Sequence, residues 1–259
     1  MDFNPGLMVS ATHNPLGFLY GDDVFGPVVE NRKLDDIRKS LLESNCKGPQ
    51  IVYSIAMNVG KTKDRTAIED RNLLYGAVTY AIGKLGKEPI RSQGHIHAIS
   101  KSCGCSTPEV YEIWSGEACI YMQESAKDNP GRCFAVFAKA GDVIIVPPGF
   151  AHCTISSNPH KQLTFGAWCV KDYGFDYSDV REHKGVAWFP TLDSNDEIEW
   201  IRNESYDESK LIIKHPRKYE EFLIESGVPI YTQFENDPDK FLFVSNPNLV
   251  EKLWNNFIP

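Results

Sequence analysis

Two short stretches in the middle of the chain carry the residue types of a metal site. His95 and His97 are separated by one residue and followed by Glu109, and His152 comes later, after a Pro-Pro-Gly turn. On a strand, alternation places His95 and His97 on one face with their imidazoles close together. Two neutral imidazoles and a carboxylate suit a borderline divalent cation such as Fe, Mn, Ni or Zn, and not Ca or Mg. Because both motifs occur in order, the sequence predicts one divalent transition metal per chain.

Short strands must position these residues. After about residue 49, apolar runs alternate with turn residues roughly every 8–12 positions, which is typical of a β-sandwich or barrel. The Ser115-Gly116 pair predicts a tight hairpin between two of the runs. The predicted strands are 51–57, 77–82, 110–114, 118–123, 132–138, 142–146, 152–155 and 163–170.

The two ends of the chain differ from the middle in composition and in their predicted elements. The first 30 residues predict an irregular arm, and Asn31 is a candidate N-cap for a helix that continues to about Asn45. Beyond Pro190 an acidic segment leads to two predicted helices, one within 216–227 and one that opens at Asn246-Pro247. Between these helices, 230–234 and 241–244 are predicted to pair as strands. We therefore expect an N-terminal arm and helix (1–48), a barrel (49–190) and a C-terminal extension (191–259).

Composition narrows the class of protein. With 259 residues, 42% of them hydrophobic, the chain can build a core, and no apolar run approaches the ~20 residues of a membrane helix. A net charge of −8 argues against a nucleic-acid or anionic membrane partner. The start of the chain shows no export signal, and seven cysteines without paired spacing indicate reduced thiols, so we expect a cytoplasmic protein.

Several phrases resemble a known family. Residues 53–177 are similar to the cupin-type (archaeal-type) phosphoglucose isomerases of the cupin superfamily. The matching phrases are Gly83-Lys84-Leu85-Gly86-Lys87-Glu88, Gly94-His95-Ile96-His97-Ala98, Glu109-Val110-Tyr111, Pro147-Pro148-Gly149-Phe150-Ala151-His152 and Tyr173-Gly174-Phe175-Asp176-Tyr177. The resemblance implies a mainly β protein, a cupin jelly-roll barrel with an N-terminal helical arm and a C-terminal α/β extension.

The resemblance also implies roles for individual residues. It makes His95, His97, Glu109 and His152 the metal ligands and places Tyr53, Ser92, Gly94 and Tyr111 against a sugar phosphate. The implied reaction interconverts glucose 6-phosphate and fructose 6-phosphate in glycolysis and gluconeogenesis. Glu109 would carry a proton between C1 and C2 as general base, with a metal-steered hydride shift as the alternative. A homodimer is the family expectation.

Some positions depart from the family pattern. Val78, Gly149, Trp168 and Phe175 stand where the family has other residues, and each change is interpreted as the loss of a hydrogen-bonding group from the substrate side. Three alternatives therefore stay open: an isomerase or epimerase of another sugar or sugar phosphate, a non-catalytic sugar-binding cupin, and a metal-dependent dioxygenase. The loop before Glu109 is longer than in the family and carries Cys103-Gly104-Cys105. We interpret Cys103 and Cys105 as plain reduced cysteines near the barrel mouth. A second metal-binding site and a redox pair are the alternatives.

Overall fold

The N-terminal part of the chain is built mostly from short strands. A computed structural model describes residues 2–259. Two strands form a hairpin, two more follow, and a helix of one turn continues into a 3₁₀ turn at 38–40: β1 (Val9–His13), β2 (Leu16–Tyr20), β3 (Val24–Phe25), β4 (Glu30–Lys33) and α1 (Leu34–Ile37).

The helix predicted from Asn31 to about Asn45 is much shorter in the structure. Asn31 pairs with Ser54 as part of β4, so the chain is still extended there. At Leu41 the backbone is extended again (φ −93°, ψ 148°), and the next amide, that of Leu42, donates to the carboxylate of Glu88 at 2.7 Å. Tertiary pairing at both ends therefore limits the helix that local periodicity favours.

The middle of the chain supplies the barrel. Its strands are, in chain order, β5 (Ile51–Met57), β6 (Gly60–Lys61), β7 (Leu73–Tyr80), β8 (Lys84–Leu85), β9 (Glu88–Pro89), β10 (Ile96–His97), β11 (Glu109–Ser115), β12 (Glu117–Gln123), β13 (Cys133–Lys139), β14 (Val143–Val146), β15 (Ala151–Ser156), β16 (Thr164–Val170) and β17 (Phe175–Asp176). Two short helices accompany them, α2 (Arg65–Asp70) and α3 (Ser178–Glu182). All eight strands predicted from the sequence are present, with bounds shifted by a few residues.

Two sheets face each other across one core. The larger has the order β14-β11-β16-β7-β5-β4. The smaller contains β15, β12 and β13 and is completed by a strand from the C-terminal extension. Ile113 and Phe165 from the larger sheet share a buried apolar cluster with Ile120 and Phe134 from the smaller one. This double-sheet arrangement confirms the prediction of a mainly β protein with a jelly-roll barrel.

The C-terminal extension combines strands and short helices, as predicted. Its elements are β18 (Trp188–Leu192), β19 (Ile198–Arg202), β20 (Leu211–Lys214), α4 (Ile230–Asn236), α5 (Leu242–Ser245) and α6 (Glu251–Trp254). The second predicted helix is present as a 3₁₀ turn at 247–250 followed by α6, with Pro247 in its first turn. The predicted first helix is wrong, because 216–227 contains only a 3₁₀ turn at 220–222.

Two further predictions for the extension are also wrong. Residues 230–234 and 241–244, predicted as paired strands, are helical or 3₁₀ in the structure. Their aromatic residues favour strands locally, but packing of Phe234 and Phe241 against Trp168 decides the outcome. Strand β20, which the sequence did not indicate, pairs in parallel with β13 and completes the smaller sheet.

The extension covers the outer face of the larger sheet. The amide of Ile230 donates to Oε1 of Glu112 at 2.7 Å, and Nε1 of Trp168 donates to the Ile230 carbonyl at 3.3 Å. A second apolar cluster, which includes Val110 and Trp114 of β11, forms beneath it. The strands that line the barrel are therefore buried on both faces. In residues 2–259, no helix has the length and apolar character needed to cross a membrane.

Candidate metal centre

The three histidines of the two motifs meet at one point. His95 and His152 pair as an antiparallel bridge, with reciprocal backbone hydrogen bonds of 3.1 and 2.9 Å. His97 lies on the same face as His95, as alternation predicts, and the ring centroids of these two histidines are 5.3 Å apart. One ring nitrogen from each histidine lies within 4.8 Å of the other two. The three side chains form a group that can hold a metal ion.

The hydrogen bonds of the imidazole rings use Nδ1 and leave Nε2 available to bind a cation. Nδ1 of His97 faces the carbonyl of Thr107 at 2.7 Å, and Nδ1 of His152 faces the carbonyl of Phe150 at 3.2 Å. A carbonyl only accepts, so each Nδ1 carries the proton and Nε2 keeps its lone pair. Nε2 of His95 and Nε2 of His152 are buried without a hydrogen-bond partner in residues 2–259. Since an unpaired buried polar atom costs about 1–3 kcal/mol, a bound cation fits this donor set.

Glu109 faces the histidine group from the first position of β11. Its Oε2 is 3.2 Å from Nε2 of His97 and 3.6 Å from Nε2 of His152, the second beyond hydrogen-bond distance. The hydroxyl of Tyr111 donates to the same oxygen at 2.7 Å, and the thiol of Cys169 approaches Oε1 at 3.0 Å. All four residues predicted as ligands are thus brought together.

The electrostatics of the group favour neutral His95 and His152 beside a charged carboxylate, whereas the contact with Glu109 outweighs burial and raises the pKa of His97. Burial lowers the pKa of His95 well below its ordinary value, and the neighbouring His152 and His97 lower it further. Burial acts to raise the pKa of Glu109, but the contacts with His152 and His97 outweigh it and hold that pKa well below its ordinary value. A neutral imidazole and an ionised carboxylate are the forms that bind a cation.

A cavity opens beside the histidines. Three of the four residues predicted to contact substrate line it: Tyr53, Ser92 and Tyr111. Tyr53 stacks on Tyr80 with ring centroids 5.0 Å apart, and Ser92 accepts the amide of Thr154 through Oγ at 3.0 Å, which leaves its hydroxyl proton free to donate. The free volume is about 60 Å³, enough for a few water molecules.

The fourth residue predicted to contact substrate, Gly94, lies between two cavity-lining residues, Gln93 and His95. Its φ is +91°, and a Cβ at this position would lie 2.8 Å from Cγ1 of Val186. Both the backbone conformation and the close packing therefore require glycine here. This places the Gly94 backbone, rather than a side chain, at the edge of the cavity.

The departures from the family pattern divide into two groups. Val78 and Phe175 line the cavity, and the Phe175 ring lies 4.5 Å from that of His95. The interpretation of Gly149 and Trp168 as changes on the substrate side is wrong, because neither residue lines the cavity. Gly149 lies in the turn before β15, where its amide donates to Ser106. Trp168 points away from the barrel interior and packs on Tyr231 of the extension.

Sequence reasoning missed two residues near the site. Cys169 faces inward because its neighbour Trp168 faces outward, but the sequence does not reveal which face of β16 the extension covers. Arg32 pairs with Tyr53 between β4 and β5, and its side chain is only 18% exposed. Burial raises the pKa of Tyr53 and of Tyr177, and the nearby Arg32 guanidinium offsets part of each rise. A cation therefore lies beside two tyrosines of the cavity.

Parts of the chain are similar in sequence or in fold to known proteins. A glucose-6-phosphate isomerase of Thermococcus onnurineus is 29% identical over 119 residues, which cover 46% of this chain and 57% of that protein. The lysine-specific demethylase JMJ21 of Arabidopsis thaliana is 27% identical over 140 residues, 52% of this chain and 14% of that protein. The structure of Bacillus subtilis oxalate decarboxylase with Mn(II) centres matches at 15% identity and a TM-score of 0.34, covering 61% of this chain and 30% of that chain.

The chain spans less than two thirds of the length of each of these three proteins. A match to a family covers more of the chain than any of these three. The model of the glucose-6-phosphate isomerase (GPI) family matches residues 36–209, from α1 through the barrel strands to β19. That range is more than half of the chain and includes His95, His97, Glu109 and His152. The chain belongs to the glucose-6-phosphate isomerase (GPI) family.

Proposed function

We propose that this protein is a metal-dependent aldose–ketose isomerase that interconverts glucose 6-phosphate and fructose 6-phosphate. The observation that carries the proposal is the convergence of the His95, His97 and His152 ring nitrogens within 4.8 Å, with Glu109 facing them. The cavity beside this group is lined by Tyr53, Ser92 and Tyr111. Membership of the isomerase family supports the same reaction class.

His95, His97, Glu109 and His152 would hold one divalent transition metal, Fe, Mn, Ni or Zn. Imidazole and carboxylate donors suit these ions, and the orphaned Nε2 atoms of His95 and His152 support binding of a cation. When bound, such an ion polarises the C1 and C2 oxygens of a sugar and stabilises negative charge that develops there. The carbonyls of Thr107 and Phe150 fix the orientation of two of the imidazoles.

Glu109 would move the proton between C1 and C2. Its carboxylate is buried and faces the cavity, and Tyr111 donates to Oε2 while Cys169 approaches Oε1. These contacts hold the carboxylate in one orientation, which a positioned general base requires. A hydride shift between C1 and C2 is the alternative. Isomerisation in D₂O separates the two, because proton transfer introduces deuterium at C1 or C2 and a hydride shift does not.

Tyr53, Ser92 and the Gly94 backbone would receive the phosphate end of the substrate. We add Arg32 to this group, because it is the cation placed beside Tyr53 and Tyr177. A guanidinium binds phosphate through two parallel hydrogen bonds. Phe175 of β17 also lines this cavity. That strand pairs with β10 over two residues on each side.

A second candidate within the same class is an isomerase or epimerase of another sugar or sugar phosphate. Val78 and Phe175 support it, because they place apolar side chains on the cavity wall. A site that lacks a polar partner for a given hydroxyl discriminates weakly between sugars with and without that hydroxyl. The substrate is therefore to be decided by direct comparison of several phosphorylated and unphosphorylated sugars.

The test is a coupled assay of fructose 6-phosphate conversion to glucose 6-phosphate. The protein is treated with a chelator and then supplied with Mn, Fe, Ni or Zn, and His152→Ala is compared with His160→Ala, whose exposed side chain pairs with Asp196. We expect metal-dependent turnover in the wild type and in His160→Ala, and no turnover in His152→Ala. Stoichiometric metal binding without turnover would reject glucose 6-phosphate as substrate. Sugar binding without turnover would favour a non-catalytic cupin, and oxygen uptake would favour a dioxygenase.

We also propose a cytoplasmic homodimer. The N-terminal hairpin carries two exposed apolar side chains, Met8 (70% exposed) and Leu19 (65% exposed), and Val28 of the following segment is 96% exposed. Met8 and Leu19 line the same surface depression, and contiguous exposed apolar groups are characteristic of protein–protein contact surfaces. Light scattering of the wild type and of a Met8→Glu/Leu19→Glu variant tests this: a dimeric mass that falls to the monomer in the variant supports it, and a monomeric wild type rejects it.

A further inference from the structure

The loop between His97 and Glu109 contains two thiols in direct contact. Cys103 and Cys105 flank Gly104, whose φ of +72° turns the chain so that both side chains project to the same side. Their Sγ atoms are 3.1 Å apart. Both thiols are partly exposed, whereas Cys46, Cys119, Cys133, Cys153 and Cys169 are buried. Within residues 2–259, this is the one pair of cysteines that combines contact with access from solvent.

The contact belongs to an ordered turn. The amide of Gly104 donates to the Ser100 carbonyl at 2.8 Å, and the amide of Ser100 donates to the Cys105 carbonyl at 2.9 Å. The hydroxyl of Ser100 and the amide of Ser102 donate to Asp172 at 2.8 and 3.1 Å, which ties the turn to the end of β16. Because these bonds fix the backbone on both sides of Gly104, the two thiols are held together.

We propose that Cys103 and Cys105 are a modification site at which a low-molecular-weight disulfide forms a reversible intramolecular disulfide. The thiolate of Cys103 attacks one sulfur of the small disulfide, breaks its S–S bond and releases one small thiolate. The thiolate of Cys105 then attacks the mixed disulfide at Cys103, forms the protein S–S bond and releases a second small thiolate. The two thiolates released take up the two protons lost by the cysteines, so two protein thiols are oxidised while one small disulfide is reduced to two thiols.

The contact between the two sulfurs makes the second step intramolecular. Burial and the adjacent Cys103 raise the pKa of the Cys105 thiol, so its attack depends on its closeness to the sulfur that it must reach. Once Cys103 is joined to the small thiol, Cys105 is already in contact with the sulfur it must attack. The resolving step is therefore intramolecular and fast relative to the first.

The position of the pair gives oxidation a consequence for the histidine group. The same loop supplies the Thr107 carbonyl that orients His97, two residues after Cys105 and two before Glu109. A covalent ring around Gly104 removes conformational freedom from the loop, as a disulfide does when it closes a segment of chain. We expect the oxidised loop to hold His97 more firmly and to slow the release of metal. This consequence rests on the proposed metal site, whereas disulfide formation does not.

Oxidised glutathione and mass spectrometry test the modification. We expect the wild type to lose two hydrogens without retaining glutathione, with Cys103 and Cys105 joined in one peptide. Cys103→Ser should show no such bond, and Cys133→Ser, which removes a buried cysteine, should behave as wild type. Stable glutathione adducts on the wild type, absence of any oxidation, or a disulfide between other cysteines would overturn the proposal.

The rate of Zn²⁺ transfer to a chelator tests the consequence. We expect several-fold slower transfer from oxidised than from reduced wild type, and equal rates for the Cys103→Ser/Cys105→Ser variant treated in the same two ways. Equal rates in wild type despite a proven disulfide would overturn the link to the histidine group. A protein that binds no Zn²⁺ in either state would contradict the proposed metal site and leave the disulfide to be judged by mass alone.

Discussion

The hydroxyl of Tyr111 donates a hydrogen bond to Oε2 of Glu109 across 2.7 Å. The two residues are separated by one position on β11, so alternation places both side chains on the inner face of the barrel. The carboxylate that faces the histidine group is therefore oriented by its own strand.

Tyr111→Phe removes this donor and leaves the ring. A hydrogen bond to a charged group contributes about 1.5–3 kcal/mol, so we expect kcat for the proposed isomerisation to fall by about 10–100-fold. Metal stoichiometry should stay unchanged, since Tyr111 is not one of the proposed ligands. Tyr20→Phe, which removes a hydroxyl bonded to Pro27 in the N-terminal hairpin, is the matched control. An unchanged kcat in Tyr111→Phe would show that the bond is not used in the reaction.

Arg32→Ala removes the cation beside Tyr53 and Tyr177. If Arg32 binds the phosphate group, KM for the sugar phosphate should rise by about 10–100-fold while kcat changes little. Arg32→Lys should recover part of this loss, because lysine keeps the charge without the planar guanidinium. Arg132→Ala, which breaks a pair with Glu124 away from the cavity, serves as the control. An equal KM for Arg32→Ala and wild type would remove Arg32 from the substrate site.

Metal binding should stabilise the folded protein through the histidine group. A ligand at 100 times its Kd that binds only the native state adds about 2.7 kcal/mol to the free energy of unfolding. We expect Mn²⁺ or Zn²⁺ to raise the Tm of the wild type and of His160→Ala, and to have little effect on His152→Ala. Differential scanning calorimetry measures this. An equal rise in Tm for His152→Ala would place the bound metal elsewhere.

Glu112 should make stability fall as pH rises. Its side chain is fully buried, and burial raises its pKa to about 8, although the Ile230 amide and Trp114 offset part of the rise. Between about pH 4.5 and 8 the native state thus binds more protons at this site than the unfolded state does. The free energy of unfolding should therefore fall with rising pH, by up to ~1.4 kcal/mol per unit.

The measurement for Glu112 is urea unfolding across this pH range. Glu112→Gln has no titrating proton at this site, so its stability should depend less steeply on pH than that of the wild type. Glu251→Gln, at an exposed position of α6, should keep the wild-type slope. Parallel slopes for Glu112→Gln and wild type would contradict the raised pKa.

The histidine group and the barrel strands were predictable because their signals are local. Alternation along a strand places His95 and His97 on one face whatever the rest of the chain does. The eight strands follow from short apolar runs bounded by turn residues. The two motifs also contain Glu109 and His152, which the family resemblance implies are ligands, and the structure brings both to the same group.

What could not be predicted depends on long-range pairing. Arg32 lies beside Tyr53 only because β4 pairs with β5, and nothing in the sequence around Arg32 indicates that pairing. The family resemblance places Trp168 on the substrate side, whereas in the structure its side chain is buried beneath the extension. The helix at 230–236 forms against the same surface, so tertiary burial overrides the local strand preference of its aromatic residues.

The two hydrogen bonds of the Ile230 backbone determine how such a protein can be divided or recombined. Its amide and carbonyl bond to Glu112 and Trp168, whose strands present Tyr111 and Cys169 on their opposite faces. The ring of Tyr75 on β7 packs against Tyr231 of the extension, with centroids 5.2 Å apart. A barrel cut at residue 190 would leave Trp168 and Tyr75 exposed and the Glu112 carboxyl group without its amide partner. The unit that can be exchanged between relatives is therefore the barrel together with its C-terminal cover.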